Sequence, residues 1–524
     1  MKRSNFIRAL LAGSALVMSS AAFAQDPAPA EQPAEAQPDT SDATADAAIQ
    51  QAQDLDDAQA KLELLQAQVE ALQESIAQIQ AGQAKSTPTW KGAPELADKD
   101  SGFTFKPKGF MQWDAGWVGF PEGDQRRGTV GGINFANLGF NSRARRLVIG
   151  AEGSLPGGFG YKFELNFAQA TVGYEDIILT YDMKSAPIQI AVGNFYPYSS
   201  LETMTSSRLG SFLERASFTD AFNYNRRLGI GLQLSDKKAD SYLVQAGIFS
   251  TPIDDISVSG SSLANSFTRT GWQASLRALW TPTLGSTRIH AGLNFQHRTA
   301  NLEGQQTQYR TRPLTQITDQ RFIDTGNIAS KGDDTLGVEL AAIHKSLHVV
   351  AEGQKVWVRH AYTPGEIAIL NSDPNDNNNS SGTGYNGNPS FMGGYVELGY
   401  YLTGETRGYK GGKWDRTKVK KPFQDGGWGA IQVNGRVDYV DLTDDVDSSS
   451  ASLAAPTYVN GGKQLGYQLS VIWNPMDYVR FMAQYGHVNV TGGPRNALGQ
   501  DLSEPVNKRE FSFDTFAVRA QLEF

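Results

Sequence analysis

The C-terminal stretch Phe516-Ala517-Val518-Arg519-Ala520-Gln521-Leu522-Glu523-Phe524 alternates apolar with mostly polar residues and ends on an aromatic side chain. Alternate residues of a β-strand point to opposite faces, so one face of this stretch suits lipid and the other suits water. Strands of this kind are typical of transmembrane barrels. An edge strand of a soluble sheet can show the same pattern, so the choice between the two depends on the rest of the chain.

Other segments within residues 101–524 repeat this alternation. From Trp272 to Trp280 one set of alternate residues is apolar and has a tryptophan at each end, while the other set contains Gln273 and Arg277. Residues eight apart lie roughly 26 Å apart along a strand, which matches the aromatic girdles of a membrane barrel. We therefore predict an all-β fold, a transmembrane antiparallel β-barrel. At about 9–11 residues per strand, the domain accommodates about 16 strands and a water-filled lumen.

The N-terminus explains how such a barrel reaches its membrane. Lys2, Arg3 and Arg8 accompany a short apolar run, and Ala22-Phe23-Ala24 is a small-residue cleavage site. This pattern predicts a secretory signal peptide over residues 1–24. A membrane anchor is the alternative, but the apolar run is shorter than the roughly 20 residues that a membrane helix needs.

The acidity of the chain belongs to an N-terminal extension. Residues 25–84 carry 12 acidic residues and one basic residue, whereas residues 85–524 carry no net charge. Any ion preference of the barrel must therefore come from where its charges lie. Residues 25–48 are rich in Ala, Pro, Asp and Glu, which predicts a disordered spacer. Residues 85–100 are predicted to be a linker.

A heptad repeat occupies residues 49–84. Its a positions are Leu55, Leu62, Val69 and Ile76, and its d positions are Ala58, Leu65, Leu72 and Ile79. Four consecutive heptads predict a coiled-coil helix preceding the barrel, and a coiled coil needs partners. We therefore expect a homo-oligomer, with which a trimer is compatible, and place the coiled coil in the periplasm. A single amphipathic helix packed on the domain is the alternative.

The strand alternation breaks between Asn194 and Asn225. The stretch SSLETMTSSRLGSFLERASFTDAF contains large apolar residues that need a packing surface: Leu201, Met204, Leu209, Phe212, Leu213 and Phe222. We predict that it folds into the barrel as a constriction loop and brings Arg208, Glu214 and Arg215 to the channel axis. A helix that caps the rim is the alternative.

Several blocks of the domain resemble the phosphate-selective porin O and P family. They occur in the family's order: Asn141–Leu147, Tyr161–Leu165, Val192–Phe195, Leu201–Arg208, Phe212–Arg215, Arg226–Gly229, Gly399–Glu405 and Asn474–Phe481. The resemblance implies a 16-stranded trimeric porin in the outer membrane of a Gram-negative bacterium. It also implies that arginines and lysines guide phosphate-like anions to a constriction formed by an inward loop.

By the matched blocks, the resemblance implies this anion-pathway role for seven arginines. They are Arg143, Arg145, Arg146, Arg208 and Arg215, with Arg226 and Arg227 as weaker candidates. Guanidinium groups suit phosphate because they offer forked donors and stay charged. Adjacent Arg145 and Arg146 cannot both face the lumen of a regular strand, so one must lie at a bulge, a rim or a subunit interface. Tyr196 stands where many members of the family carry a charged residue.

The segment from Lys410 to Lys421 is strongly basic, with a single acid, Asp415. We predict an external loop that funnels anions or binds acidic groups of lipopolysaccharide, with a plain solvated loop as the alternative. The expected partners are therefore small anions, outer-membrane lipid and lipopolysaccharide, and further copies of the chain.

The function predicted is a porin for passive diffusion of small anions, phosphate or phosphate-like, through an arginine-lined lumen. A general-solute or sugar porin is the alternative, which aromatic side chains aligned along the lumen would favour. A third possibility is an outer-membrane enzyme or a barrel tethered to the envelope. No nucleophile, base and carboxylate stand out as a catalytic set, so an enzyme is not expected. Neither are a cofactor, a nucleic-acid partner or a metal site, since His344 and His348 lack metal-ligand spacing.

Overall fold

The structure, a computed structural model, consists of two units, Met1–Ala81 and Gly82–Phe524. It describes residues 43–86, 89–90, 92–98, 101–121, 129–130, 133–134, 138–168, 172–222, 225–250, 271–300, 306–372, 382–447, 449, 454–494, 505–506 and 509–524. The predicted signal peptide, residues 1–24, and most of the predicted spacer, residues 25–48, lie outside the described residues.

Helix α1 spans Ala43–Ser86, which confirms the helix expected from the heptad repeat. Apolar side chains of its heptad repeat are exposed: Leu62 and Leu65 are each 58% exposed, and Leu72 is 62% exposed. Among the described residues, no helix combines the length and the apolar character needed to cross a bilayer.

The second unit is a closed barrel of 16 antiparallel strands, as predicted. Each strand pairs with the next one along the chain, and the last pairs with the first. The strands are β1 Phe103–Val118, β2 Gly139–Leu155, β3 Phe159–Asn166, β4 Gly173–Asp182, β5 Ile188–Phe195, β6 Arg227–Ser235, β7 Tyr242–Phe249, β8 Gln273–Trp280, β9 Thr287–Thr299, β10 Ile328–His344, β11 Leu347–Ala361, β12 Ser390–Tyr401, β13 Ala430–Asp444, β14 Tyr458–Met476, β15 Val479–Thr491 and β16 Glu510–Glu523.

Shorter elements accompany the barrel. Two strands, Thr89–Trp90 and Pro94–Asp98, lie within the region predicted as a linker, and the second pairs with the start of β1. The other short strands are Thr129–Val130, Ile133–Asn134, Thr283–Leu284, Gln306–Thr307, Arg310–Thr311, Ile323–Asp324, Tyr409–Lys410, Lys413–Trp414 and Ala454–Ala455. The helices are α2 Leu201–Met204, α3 Ser217–Phe222 and α4 Pro364–Leu370, with a 3₁₀ turn at Phe423–Asp425.

The two faces of each strand meet different surroundings. In β16, Phe516 and Val518 are 50% and 39% exposed on the outside, whereas Arg519 and Gln521 are buried on the inside. Trp280 ends the apolar face of β8 and is 57% exposed. The apolar face therefore suits lipid and the polar face lines the lumen, as the alternation predicts.

The connections between strands define two ends of the barrel. Short connections such as 156–158, 183–187 and 345–346 lie at one end, which we call the turn side, together with the C-terminus. Longer connections such as 196–226 and 362–389 lie at the other end, the loop side. In outer-membrane barrels the short turns face the periplasm and the long loops face the exterior.

One connection on the turn side is long. Residues 402–429 join β12 to β13 at that end and contain the basic segment from Lys410 to Lys421. The prediction that this segment forms an external loop was therefore wrong. The end at which a connection emerges depends on how many strands precede it, and neither its length nor its composition reveals that number.

The barrel closes where β16 meets β1. The backbone N–H and C=O of Gly109 pair with those of Phe524, each at 3.0 Å. A Cβ atom on Gly116 would lie 2.4 Å from the carbonyl oxygen of Phe516. The two strands therefore approach at a distance that only glycine allows at this position.

Replacing Gly116 with Ala is expected to weaken the closed barrel, because overpacking of a tight contact costs about 1–3 kcal/mol. The measurement is the temperature at which the purified protein loses its compact band in semi-native electrophoresis. Gly365 is the matched control, since nothing lies within 4 Å of a Cβ built there. G365A should unfold no earlier than the wild type, because alanine is the better helix former within α4. A G116A variant that also unfolded no earlier would contradict the importance of this contact.

Candidate functional site

Residues 196–226, between β5 and β6, enter the barrel from the loop side, and we call them the inward segment. The N–H of Leu213 donates to Gln484 Oε1 at 2.8 Å, and the N–H of Ser217 donates to Asp438 Oδ2 at 2.7 Å. These acceptors belong to β15 and β13, on the wall opposite β5 and β6 in the strand order. The segment therefore crosses the lumen.

Apolar side chains pack the inward segment inside the barrel. Leu201, Leu213, Phe218 and Phe222 are almost fully buried. The ring of Phe222 packs against that of Tyr309, from the connection between β9 and β10, with centroids 5.9 Å apart. Burying a side chain of this size contributes roughly 1.5–3 kcal/mol. The segment is therefore a packed part of the barrel.

The long turn-side connection, residues 402–429, enters from the other end, and we call it the turn-side insert. The N–H of Trp414 donates to the hydroxyl of Thr205 at 3.2 Å, so the insert meets the inward segment inside the barrel. Arg277 of β8 donates to Gly412 O at 2.9 Å and ties the tip of the insert to the wall.

A cavity of about 870 Å³ remains between these two insertions and the barrel wall, mainly β1 to β5 with a few residues of β6, β12 and β13. Charged groups of the wall, the inward segment and the turn-side insert all line it. It is the candidate path for a solute, because it lies inside the barrel and charged groups line it.

Arg145 and Arg146 of β2 both line this cavity. The register between β1 and β2 shifts at this point and skips Arg145. Such a bulge lets two successive side chains point to the same side. Arg145 binds the carboxylate of Glu214 with nitrogen–oxygen distances of 2.8 and 3.0 Å, whereas Arg146 donates to Gln112 Oε1 at 2.9 Å.

Three predicted arginines of the inward segment line the cavity as well. Arg208 lies 3.3 Å from Glu523 at the end of β16, and Arg226 binds the carboxylate of Asp176 on β4. Arg215 donates to two backbone oxygens of its own segment, at 3.0 and 3.2 Å. With the two arginines of β2, five of the seven predicted arginines therefore lie at one cavity.

The other two predicted arginines lie elsewhere. Arg143 donates to the backbone oxygen of Gln316 and lies 3.9 Å from Asp319, in the connection between β9 and β10. Arg227 is buried and donates to Ser250 O at 3.0 Å. Neither is among the described residues that line the cavity.

Further bases of the cavity were missed by the sequence prediction: Lys108 on β1, Lys162 on β3, Lys410 and Lys413 on the turn-side insert, Arg312 between β9 and β10, and Arg436 on β13. The alternation within β3 could have indicated Lys162, because its neighbour Phe163 is 43% exposed on the opposite face. The basic character of the insert was evident in the sequence, but its position was not.

The carboxylates of the cavity are engaged more fully than its bases. Eight lining carboxylates lie within ion-pair distance of a base: Glu152, Glu164, Glu175, Asp176, Glu202, Glu214, Asp220 and Glu397. By contrast, Arg146, Arg215, Lys410 and Lys413 form no ion pair with any residue that the structure describes. Asp415 also lines the cavity without an ion pair, so among the described residues the lining presents more unpaired positive than negative charge.

The histidines show no metal-binding arrangement in the part of the chain that the structure describes. His344 lies exposed on β10, whereas His348 lies buried on β11. No group of three or more His, Asp and Glu side chains is placed to hold a metal ion among the described residues.

Glu214 joins the inward segment to the wall of the barrel. Burial alone would raise the pKa of its carboxyl, but Arg145 and Arg519 hold that pKa well below its usual range. The Arg519 guanidinium donates to Glu214 Oε1 at 2.8 Å. The stabilisation by these ion pairs is fully present above the usual pKa of about 4.3 and is lost as the pH falls through the lowered pKa.

Replacing Glu214 with Gln is expected to destabilise the protein near neutral pH by up to about 3–5 kcal/mol, because two buried guanidinium groups lose an anionic partner. Below about pH 4.3 the wild type should lose stability toward the level of E214Q. The unfolding temperature of both proteins, measured from about pH 7 to about pH 2, checks this. E510Q, which changes an exposed carboxylate on β16, is the control. Parallel pH profiles for wild type and E214Q would contradict the assignment.

Comparisons with known proteins agree with this architecture. Residues 115–524 match the family model described as phosphate-selective porin O and P. An uncharacterized protein of Caulobacter vibrioides is 33% identical over 437 residues, covering 83% of this chain and 77% of that protein. Porin O of Pseudomonas aeruginosa is 26% identical over 412 residues, covering 75% of this chain and 85% of that protein.

Solved structures are similar as well. The outer membrane channel DcaP of Acinetobacter baumannii superposes with a TM-score of 0.43 at 12% identity, covering 82% of this chain and 99% of that one. The family match spans most of the barrel. The chain belongs to the phosphate-selective porin O and P family, and it is an outer-membrane β-barrel porin of Gram-negative type, a channel and not an enzyme.

Proposed function

We propose that this porin conducts small anions, phosphate or phosphate-like, by passive diffusion through the cavity between the inward segment and the wall of β1 to β5. The observation that carries the proposal is the set of bases without an ion pair to a described residue: Arg146, Arg215, Lys410 and Lys413. An anion that enters can replace water at these groups without first breaking a protein ion pair.

The chemistry and the spacing of these bases suit transport. Guanidinium groups present planar, forked donors to phosphate oxygens, and lysine adds a compact charge. Because the bases belong to the wall, the inward segment and the turn-side insert, an anion meets several moderate sites in series and can leave again. Arg145, Arg208 and Arg226 belong to the same pathway, where their carboxylate partners weaken the attraction. Arg143 and Arg227 are weaker candidates for the anion pathway, since they lie outside the cavity.

The aromatic side chains of the cavity argue against the alternative, a general-solute or sugar porin. The guanidinium carbon of Arg226 lies 4.3 Å from the ring centre of Tyr196, and that of Arg436 lies 4.5 Å from the ring centre of Phe212. Positive charge over an aromatic face is favourable, and it occupies the surface on which a sugar ring would stack. The name of the matched family, phosphate-selective porin O and P, supports the same class of solute.

Removing the unpaired bases is expected to weaken anion selectivity. In planar bilayers with a KCl gradient, the wild type should show an anion-selective reversal potential, and phosphate should block the chloride current saturably. R146Q, R215Q and K413Q should each move the reversal potential toward zero. Each should also raise the half-blocking phosphate concentration, by about tenfold for every 1.4 kcal/mol of interaction lost.

K463Q is the matched control for these variants. Lys463 lies on the outward-facing side of β14, 2.9 Å from Asp441, and is not part of the cavity lining. This variant should conduct and be blocked as the wild type is. A wild-type current that is non-selective or cation-selective and insensitive to phosphate would contradict the proposal and favour a general-solute or sugar porin.

We also propose that the chain forms a homotrimer in which the α1 helices make a coiled coil in the periplasm. Side chains at a and d positions of this helix are exposed, as at Leu65 and Leu72. A coiled coil with neighbouring copies would bury them. Strand β1 begins at the turn side, which faces the periplasm in barrels of this class.

Replacing both Leu65 and Leu72 with Asn is expected to lower the temperature at which the oligomer dissociates, because polar d residues weaken a coiled-coil seam. Light scattering after chromatography and native electrophoresis of the intact protein measure this. A60N/A67N is the matched control, since both positions lie at f, away from the seam. An L65N/L72N protein that keeps wild-type oligomer stability would favour the single amphipathic helix.

A further inference from the structure

The inward segment turns a run of its backbone carbonyl groups toward one side of the barrel. Between Arg208 and Leu213, five carbonyl oxygens accept hydrogen bonds of 2.5–3.0 Å from side chains of β13 to β16 or of the turn-side insert. This run of carbonyls therefore faces β13 to β16. The donors are Gln521 and Arg480 to residue 208, Arg407 to residue 209, Arg480 to residue 210, Ser470 to residue 211 and Arg519 to residue 213.

The direction of these carbonyls also fixes where the adjoining N–H groups point. In a planar trans peptide, the C=O of one residue and the N–H of the next point in opposite directions. The N–H groups opposite the carbonyls of residues 209, 210 and 211 belong to Gly210, Ser211 and Phe212. They point away from β13 to β16 and into the lumen, and all three residues line the cavity. We call these three N–H groups the amide row.

The amide row has no acceptor in the part of the chain that the structure describes. None of its three N–H groups donates to a described residue, although Ser211 and Phe212 are buried. By contrast, the next N–H group along the chain, that of Leu213, donates to Gln484 Oε1 at 2.8 Å. Buried backbone N–H groups are nearly always hydrogen-bonded, to protein or to another molecule. The amide row is therefore placed to donate to a molecule in the cavity.

Arg480 of β15 keeps the amide row in this orientation. Its guanidinium donates to Arg208 O at 2.9 Å and also to Gly210 O, so one planar fork holds two carbonyls of the run. Arg407 of the turn-side insert holds the carbonyl between them, that of Leu209. Arg480 is buried, forms no ion pair with a described residue and is not among the described residues that line the cavity. It therefore acts on the cavity through the backbone that it holds.

We propose that the amide row binds the oxygens of phosphate or a similar oxyanion, and that Arg480 is its positioning residue. Successive backbone N–H groups in a turn form anion sites, and their hydrogen bonds to an oxyanion are charge-assisted. The inference rests on the anion pathway proposed above, to which it adds donors that carry no net charge. The amide row therefore contributes to phosphate affinity, whereas the bases of the cavity also set the preference for anions over cations.

Phosphate block of the chloride current in planar bilayers tests the role of Arg480. R480K keeps the positive charge but loses the planar fork. It should raise the half-blocking phosphate concentration about tenfold, the effect of losing one hydrogen bond to a charged group, while its reversal potential stays at the wild-type value. R509K is the matched control, because Arg509 is also buried and donates to a backbone oxygen, Gly493 O at 2.8 Å, away from the cavity lining. R509K should be blocked as the wild type is.

An ester in place of one amide tests the amide row directly. The α-hydroxy acid analogue of phenylalanine at position 212 replaces the N–H of Phe212 with an ester oxygen and leaves every side chain in place. Half-block should again need about tenfold more phosphate, at an unchanged reversal potential. The same analogue at position 423 is the control, since Phe423 is 63% exposed and lies outside the cavity lining. The ester variant decides the matter if R480K gives no compact band in semi-native electrophoresis.

The possible outcomes separate this inference from the anion pathway on which it rests. If phosphate blocks the wild type and the ester variant at the same concentration, the amide row is overturned and the pathway stands. A folded R480K that is blocked as the wild type is would overturn the positioning role, and so would an equal loss of block in R509K, since the effect would then be general to buried arginines. If phosphate does not block the wild type, the pathway and the amide row are both overturned.

Discussion

Hydrocarbon offers no partner to a backbone N–H or C=O group, so each strand of this barrel needs a neighbour on both sides. The whole structure therefore depends on the pairing of β16 with β1, the two strands that are furthest apart in the chain. The backbone pair between Gly109 and Phe524 and the close approach at Gly116 make this contact possible. The lumen exists only when the barrel is closed. The inward segment and the turn-side insert pack against lumen-facing side chains, which this closure brings into position.

Charged residues inside the barrel fall into two groups. Arg519 binds Asp114 of β1 with both contacts at 2.7 Å and also binds Glu214, so one buried guanidinium joins the seam to the inward segment. Ions taken out of water need partners, and the paired bases are therefore part of the structure. Bases without such a partner, such as Arg146 and Lys413, are the ones on which the proposed anion pathway depends. The sequence alone does not distinguish paired from unpaired arginines. Only the three-dimensional contacts show which arginine belongs to which group.

The sequence predicted the barrel because the period of two in β8 and β16 depends only on neighbouring residues. It also predicted that one of Arg145 and Arg146 lies at a bulge, a rim or an interface, because a regular strand cannot point two adjacent side chains inward. The structure has a bulge at this position. It did not predict the ion pair between Arg145 and Glu214, which are distant in sequence and meet only where the inward segment crosses the lumen. The turn-side insert was placed on the wrong side for the same reason, since its position depends on all the strands before it.

The turn-side insert and the inward segment have one further property in common: both are held by the last strand. Glu523 binds Arg208 of the inward segment and Arg416 of the insert, while Arg519 donates to Leu213 O at 2.6 Å. A nascent barrel that still lacks β16 has neither contact. Closure of the wall by β16 therefore also adds the ion pairs that tie both insertions to the turn-side end of the barrel.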